Sequence, residues 1–535
     1  MVDRVGSWAV RAVGHSALLV DAADHDPAVL AARFAEAAWA AEVAGALGAT
    51  PADIVVGAAT VLIVARGPSS LGAIAGVVAG LTVEAVAEPL GADGATEVEI
   101  PVRYDGEDLD EVAGLVELTT EEVVDLHSGA TYRAAFMGFA PGFAYLAGLP
   151  ETLVVGRRCQ PRSTVPAGSV AIADTYSAVY PRSTPGGWHL LGTTDTVLFD
   201  PDRSPPALLT AGARVRFVSE GGRRPPRAEA DPATTADTLP VPEGGATIEV
   251  VDPGPLTTVQ DRGRPGRAAE GVPPSGAADV LSAALANRLV GNRDGAAVLE
   301  STMTGPKLRL GGPPGGSRTI AVTGAVAAVT VDGCGQGLNA PFDLHAGQVV
   351  AIGPATVGLR SYLAVSGGLD VPAVLGSRST DLLSGLGPPV LEAGAVLAVG
   401  LDEGHRPGVD VAPVAPPGEP PARLRVRLGP RADWLTDDGR LQLVSARWTV
   451  ASTSNRVGVR LEGPPLERSQ GGELQPEGLV TGAVQLTPSD ELVVFGSDHP
   501  VTGGYPVVAV VDEIDLGVVA QLRPGDPVQL REDRP

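Results

Sequence analysis

The apolar positions of this chain follow two rhythms. Residues 26–48, DPAVLAARFAEAAWAAEVAGALG, join an acidic start to an Ala-rich helical periodicity, which predicts an amphipathic helix. A second helix is expected near 70–80, with strands around 16–21, 54–65 and 97–102. The most apolar run, IVVGAATVLIVA at 54–65, reads as a buried strand or strand pair and is too short to span a bilayer. From about residue 96 the pattern shifts to short strands broken by Gly and Pro. One helix intervenes at 119–130, TTEEVVDLHSGA, opened by a Thr cap and an acidic first turn.

The signature L-x-x-G-x-x-[VL]-x-apolar occurs four times, as LTAGARVRF at 209–217, LHAGQVVAI at 344–352, LEAGAVLAV at 391–399 and LRPGDPVQL at 522–530. Each is a Gly turn feeding an alternating strand, of the kind that closes a barrel. Two Pro-rich breaks, at 221–245 and 402–422, divide the chain. The expected organisation is an α+β unit at 1–95, a barrel at 96–220, a linker at 221–245, a barrel at 246–401, a linker at 402–422 and a barrel at 423–535.

The 535 residues carry 63 acidic and 39 basic side chains, a formal net charge of −24, with no basic stripe. Nucleic acid and anionic membranes are therefore excluded as partners, and small molecules or proteins are expected. Cys159 and Cys334 stand far apart with no CxxC, which fits a reducing cytoplasm; no signal peptide is read at the N-terminus. The histidines show no HxH or HExxH spacing, so no protein-ligated metal is expected. GCGQG at 333–337 has no helix after it and reads as a turn rather than a dinucleotide fingerprint.

Three Gly- and Pro-rich segments crowd residues 137–195: MGFAPGFAYLAGLP at 137–150, PRSTVPAGSV at 161–170 and YPRSTPGGWHLLGTTD at 180–195. Their exposed backbone N–H groups suit an oxyanion or phosphate, and none is a Walker A loop. In these residues the first half strongly resembles the 5-oxoprolinase B subunit, also called allophanate hydrolase subunit 1 and sporulation-kinase inhibitor. The second half is similar to the 5-oxoprolinase C subunit, the biotin-dependent-carboxyltransferase-like family. It matches through DPGPLTTVQDRGRPGRAAEGVPPSGAADVLSAALANRLVGN (252–292), LESTMTGPKLRL (299–310), YLAVSGGLDVPAVLGSRSTD (362–381), SNRVGVRLEGPPL (454–466) and TGGYPVVAVV (502–511). The chain thus looks like a fusion of the two subunits.

The resemblance implies a mainly β protein of multiple cyclophilin-like β-barrels behind the small N-terminal α+β domain, with the run at 137–150 forming a shaped wall beside a pocket. It implies ATP-dependent cleavage of 5-oxoproline to glutamate, with ATP and Mg as ligands and, as partner, a separate A subunit. The alternatives are carboxyl transfer to urea, as in the urea carboxylase/allophanate pathway, or a non-catalytic kinase-inhibitor role. The lone lysine, Lys307, lies in TGPKLRL without flanking methionines, so no covalently attached biotin is expected. Oligomeric state is left open, homo-oligomers included. The family's G-Q-T-G is replaced by Asp174–Ala178, with Tyr176 at the Gln position, and its D-x-Q-T-T-G-G-Y-P Gln is lost at Pro500.

Catalysis is expected where the halves meet. From the first half, His127 would move a proton, Arg162 would pair with a carboxylate or phosphate, and Ser169 with the Gly186–Gly187 turn would bind substrate or hold an oxyanion. From the second, Asp261 would position a metal–nucleotide or a neighbouring Arg. Arg378 and Arg456 would bind anionic oxygens, and Arg264, Asn455 and Thr502 complete the binding set.

Overall fold

The computed structural model describes residues 3–22, 25–46, 48–87, 97–220, 245–405, 408–415, 421–472 and 474–533. At the N-terminus, five antiparallel strands lie in the order Asp3–Val5, Trp8–Val13, Ala17–Asp21, Thr60–Val64, Asp53–Val56. The apolar run at 54–65 is therefore a strand pair, and alternation splits its residues between two cores. Val61 and Ile63 face the helices Pro27–Val43 and Leu71–Gly80, together with Leu18, Val20 and Phe34. Leu62, Leu19 and Val55 face the opposite way, onto Leu479, Val493, Phe495 and Val510 of the second half. The first helix starts where Asp26 caps the Ala28 N–H, with Pro27 opening the first turn. It ends at Val43, short of the expected Gly48, at the left-handed Gly45 (φ +99°).

Seven strands form the first barrel, from His189–Thr193 through Ser169–Ala173, Tyr176–Val179, Ala144–Ala147, Thr131–Met137 and Arg214–Ser219 to Glu97–Val102. Reciprocal backbone hydrogen bonds between Arg103 and Thr193 (2.7 and 2.8 Å) join its two ends. The helix Thr120–Gly129 has the expected cap, made as a full capping box between Thr119 and Glu122. A second helix, Leu109–Leu115, precedes it, a single short stretch with little periodic signal in its sequence.

The second half holds two further β units. In the first, a six-stranded and a five-stranded sheet face one apolar core that includes Ile248, Leu299, Leu308, Val322 and Leu363. In the second, seven strands make a closed barrel around Val426, Leu435, Trp448, Val484 and Val494. The GCGQG motif is a hairpin whose turn, Asp332 and Gly333, has φ of +48° and +82°, the mirror-image turn that matches strand twist. The helix Val280–Leu289, capped by Asp279, falls inside a stretch expected to be loop and strand.

All four signature glycines, Gly212, Gly347, Gly394 and Gly525, adopt φ between +87° and +96°, and each feeds a strand. In three cases that strand returns to the first strand of its own unit. Arg214–Ser219 runs parallel to Glu97–Val102, Pro527–Glu532 runs parallel to Ala422–Leu428, and Val396–Ala398 runs antiparallel to Thr247–Asp252. The fourth, Val349–Ile352, lies inside its sheet and closes nothing. The repeated pattern thus marks three closures. Most of the first linker, residues 221–244, lies outside the described residues.

Candidate functional site

Asp261 sits at the end of the strand Thr257–Gln260 and organises the GSRST loop. Its Oδ1 accepts from Ser377 Oγ and Ser379 Oγ (both 2.6 Å) and from the Gly263 N–H (2.7 Å), and its Oδ2 accepts from the Arg378 N–H (2.6 Å). Three donors thus crowd Oδ1 and one reaches Oδ2, tying both oxygens to the loop. Asp261 is therefore a loop fastener. It does position Arg378, through the backbone. The Arg378 guanidinium donates to Val371 O (2.7 Å) and lies 3.6 Å from the exposed Asp370, with part of its surface in solvent.

Two arginines of the motifs are buried to the same degree, each 2% exposed, and differ in what surrounds them. Arg456 is fully engaged: Asp498 takes Nε (2.9 Å) and Nη2 (3.0 Å), Gly276 O takes Nη2 (2.6 Å), and Nη1 reaches Glu300. Burial alone would lower its pKa, and the two carboxylates reverse this. Glu300 also faces Arg360 at 3.5 Å, so the cluster is a neutral tetrad bridging the two β units of the second half. All three nitrogens of Arg456 thus serve this cluster, with one Nη1 N–H left over, so its main work is structural rather than the expected binding of anionic oxygens.

Arg264 is the opposite case. Its Nη2 donates to Ser379 O, while Nε and Nη1 are buried without a hydrogen-bond partner. Burial lowers its pKa, against the pull of Asp381, Asp261 and Asp498. Beside it, Gln260 Oε1 and Thr380 Oγ1 are also buried and unpartnered. Gln260 is anchored by its other end, Nε2 donating to Thr258 Oγ1 (3.0 Å) and Thr380 O (2.9 Å). An unmade hydrogen bond on a buried polar atom costs about 1–3 kcal/mol, so these four atoms beside the carbonyls of Ser379 and Thr380 make the cluster a candidate binding site. Sequence reasoning missed Gln260 and Thr380. The available signal was a glutamine closing the strand TTVQ directly before the DRGR loop.

The turn Asp381–Gly387 separates Arg264 from the first half. At Gly387 a Cβ would stand 3.1 Å from Arg264 Nη2, and at Gly385 it would stand 3.2 Å from the guanidinium of Arg182. Arg182, from the first-half segment YPRSTPGG, donates to Leu383 O (2.7 Å). Asp381, inside the turn, has its pKa raised by burial and by Asp498. Motif loops of both halves thus meet on one turn.

The other first-half candidates stand elsewhere. His127 is fully buried in the barrel core, with Nδ1 against Tyr104 OH (2.8 Å), Nε2 against Ser177 Oγ (2.9 Å) and its ring stacked on Phe217. Burial lowers its pKa to about 3. No substrate proton can reach a ring so enclosed, and the general acid/base assignment is corrected: His127 is a core residue. Arg162 is tied to Asp108 (2.7 Å), a carboxylate it shares with Arg158, leaving Nη1 unpartnered. Ser169 Oγ donates to Pro166 O (2.8 Å). Gly186 belongs to a strand packed on Tyr180, and Gly187 O accepts from the Arg158 N–H (2.8 Å). None of these four touches the Arg264 cluster.

Asn455 accepts from the Val457 and Gly458 N–H groups in a local turn, and Thr502 Oγ1 donates to Met137 O (3.2 Å) across the two halves. Thr502 thus holds backbone, whereas Asn455 fastens its turn through Oδ1 and lines, with Arg360 and Arg456, a small cavity between the two β units of the second half. The run at 137–150 is mostly core. Phe136 stacks on Tyr145 at 4.3 Å, and Phe143 meets Tyr145, Tyr180 and Trp188 edge-on. Tyr176, at the lost Gln position, joins this cluster rather than the Arg264 site. Met137 of the run lines an apolar space of about 230 Å³ at the seam. Pro500 O lies 2.8 Å from Nδ1 of the buried His499.

Among the described residues, one group has metal-compatible spacing. His15 Nε2 lies 3.2 Å from Asp512 Oδ2 and 3.8 Å from Asp533 Oδ2, at the contact between the N-terminal sheet and the closed barrel. The three side chains are ion-pair neighbours, and His15 Nε2 makes no hydrogen bond among the described residues. No helix among the described residues is long and apolar enough to cross a membrane.

Barrels meeting through Arg-bearing loops define the class, and comparison with known proteins agrees. The family model "Carboxyltransferase domain, subdomain C and D" matches residues 8–209, and "Carboxyltransferase domain, subdomain A and B" matches residues 270–532. The chain is 34% identical over 292 residues to the 5-oxoprolinase C subunit of Escherichia coli, covering 52% of this chain and 89% of that one. It is 50% identical over 124 residues to the 5-oxoprolinase B subunit of Bacillus subtilis, 23% of this chain and 52% of that one. A urea amidolyase of Lachancea kluyveri is 39% identical over 308 residues, 53% of this chain and 17% of that one. The solved structure TTHA0988 superimposes with a TM-score of 0.83 at 36% identity, covering 97% of this chain and 99% of the other. The chain belongs to the carboxyltransferase-domain family of the 5-oxoprolinase B and C subunits, with both parts on one polypeptide. It spans about a sixth of the urea amidolyase and about half of the B subunit.

Proposed function

We propose that this chain is the fused B and C component of an ATP-dependent 5-oxoprolinase, opening the 5-oxoproline lactam to glutamate together with a separate A subunit. The observation that carries the reading is the meeting of Arg182, the Asp381–Gly387 turn and Arg264. It joins the motif loops of both halves at donors that are buried and unused. A lactam carbonyl is a poor electrophile, and its conversion develops charge on the amide oxygen. Fixed guanidinium N–H donors in a dry site favour that charge strongly, because low dielectric amplifies each one.

The nucleotide does not fit at this junction. Asp261, Asp381 and Asp498 surround Arg264, three carboxylates against one guanidinium. A polyphosphate would be repelled there, so ATP belongs elsewhere in the assembled enzyme.

A second reading, carboxyl transfer to urea, is favoured by the likeness to urea amidolyase. Urea presents the same amide groups. Lys307, the only lysine, lies on a strand beside Asp252 (3.5 Å) without flanking methionines, so in this reading the biotin is carried outside residues 1–535.

The test adds the A subunit to the purified chain and follows phosphate release. Release that depends on both 5-oxoproline and this chain is expected. If 5-oxoproline has no effect while urea drives decarboxylation of supplied carboxybiotin, the second reading replaces the first.

A further inference from the structure

Gln260 and Arg264, from one segment of the chain, hold the two successive carbonyls that flank the α-carbon of Thr380. Arg264 Nη2 holds Ser379 O, Gln260 Nε2 holds Thr380 O, and the Thr380 side chain rises from the same unit. Each residue is at least nine-tenths buried and each keeps unpartnered polar atoms: an acceptor on Gln260, donors on Arg264, and a hydroxyl on Thr380 that can do either.

This pattern discriminates among guests. Phosphate and bare carboxylate offer acceptors only, which would set their oxygens against Gln260 Oε1 and near three protein carboxylates. A purely apolar guest leaves every atom unpaired. A planar amide with its N–H and C=O on one edge presents one donor and one acceptor side by side, as lactams and ureas do.

We infer that Gln260, Thr380 and Arg264 form the specificity-determining cradle for the cis-amide edge of the substrate, Gln260 Oε1 accepting from its N–H and Arg264 donating to its carbonyl. Thr380 Oγ1 completes the pairing on either side. The inference deepens the proposed amide-handling role and rests on it for location. The Asp381–Gly387 turn beside the cradle is held from the other half by Arg182.

The experiment titrates the full chain by ligand-observed NMR with 2-pyrrolidinone, 5-oxoproline, N-methyl-2-pyrrolidinone and inorganic phosphate. The two N–H lactams should bind, and the N-methyl lactam at least about tenfold more weakly, since one buried hydrogen bond is lost and the acceptor left unpaired. Phosphate should not compete. Thr380→Val removes a hydroxyl with no protein partner, so the unfolding midpoint should hold or rise while lactam affinity falls several-fold. Equal binding of both pyrrolidinones, competition by phosphate, unchanged affinity in Thr380→Val, or no lactam binding would each overturn the cradle. The probes need no variant, so a misfolded mutant does not rescue the idea. If lactams bind with this pattern but phosphate release in the presence of the A subunit ignores 5-oxoproline, the reaction fails and the cradle stands. If release depends on 5-oxoproline but its KM is unchanged in Thr380→Val, the cradle fails and the reaction stands.

Discussion

At His127 the fold keeps the neutral ring: both nitrogens are matched, and burial lowers the pKa to about 3. An unfolded histidine takes up its proton near pH 6.5, so between about 6.5 and about 3 the unfolded state binds a proton that the native state refuses. Stability should be fully present above 6.5 and fall by about 1.4 kcal/mol per pH unit below it. Urea unfolding at several pH values should show that slope flattened in His127→Gln, and 5-oxoproline-dependent turnover per folded molecule should stay within about twofold. Removing one member of the buried tetrad is a different matter. Arg456→Leu leaves Asp498 buried without its ion-pair partner and Glu300 with Arg360 alone, and should cost about 3–5 kcal/mol in the same assay. Sequence alone could not separate Arg456 from Arg264. Both are arginines in motif loops, and only the carboxylates that the fold brings to one and withholds from full contact with the other decide which is spoken for. The same holds for His127, whose place in a helix beside Gly-rich loops looked like a site until the barrel closed over it.

Among the elements, the recurring Gly turn was the most legible feature, because a left-handed residue is a local requirement that the sequence must meet locally. At Gly212, Gly347, Gly394 and Gly525 an added Cβ would meet nothing within 4 Å, so only backbone strain opposes substitution. Gly525→Ala should therefore cost about 1–2 kcal/mol by urea titration, and Gly525→Asn less, since asparagine tolerates that conformation. Gly387→Ala should cost distinctly more, because there the Cβ would lie 2.0 Å from Ser379 O. What the Gly pattern did not reveal is which strand each turn delivers to; Val349–Ile352 obeys it inside a sheet. Capped helices were legible at Asp26 and Thr119, and missed at Asp279, where the helix lies within a run that reads as loop and strand.

Across the molecule, the N-terminal sheet has no free face: one is covered by its helices and the other by the second half, through a core shared by Leu19, Leu62, Val493 and Phe495. Halves cut within residues 221–244 should therefore co-elute on a sizing column at micromolar concentration. Separate, folded halves would show the seam to be dispensable. That the halves meet was readable from the paired family motifs, whereas the contact residue, Arg182, was not, since nothing local distinguishes it from Arg162. The three closures also differ in how they would bear tension. In two units the first and last strands are parallel and in register, Glu97 with Arg214 and Ala422 with Val528, so pulling on the unit's ends slides all their hydrogen bonds at once. In the unit between them, Thr247 lies opposite Ala398 in an antiparallel pair, and the same pull peels the bonds apart one after another. Under force this middle unit should yield first, in a pulling experiment governed by the rate of opening. It is also the unit that carries Gln260, Arg264 and Thr380. A chain tugged from its two ends would thus come undone at its amide cradle while its outer barrels still held.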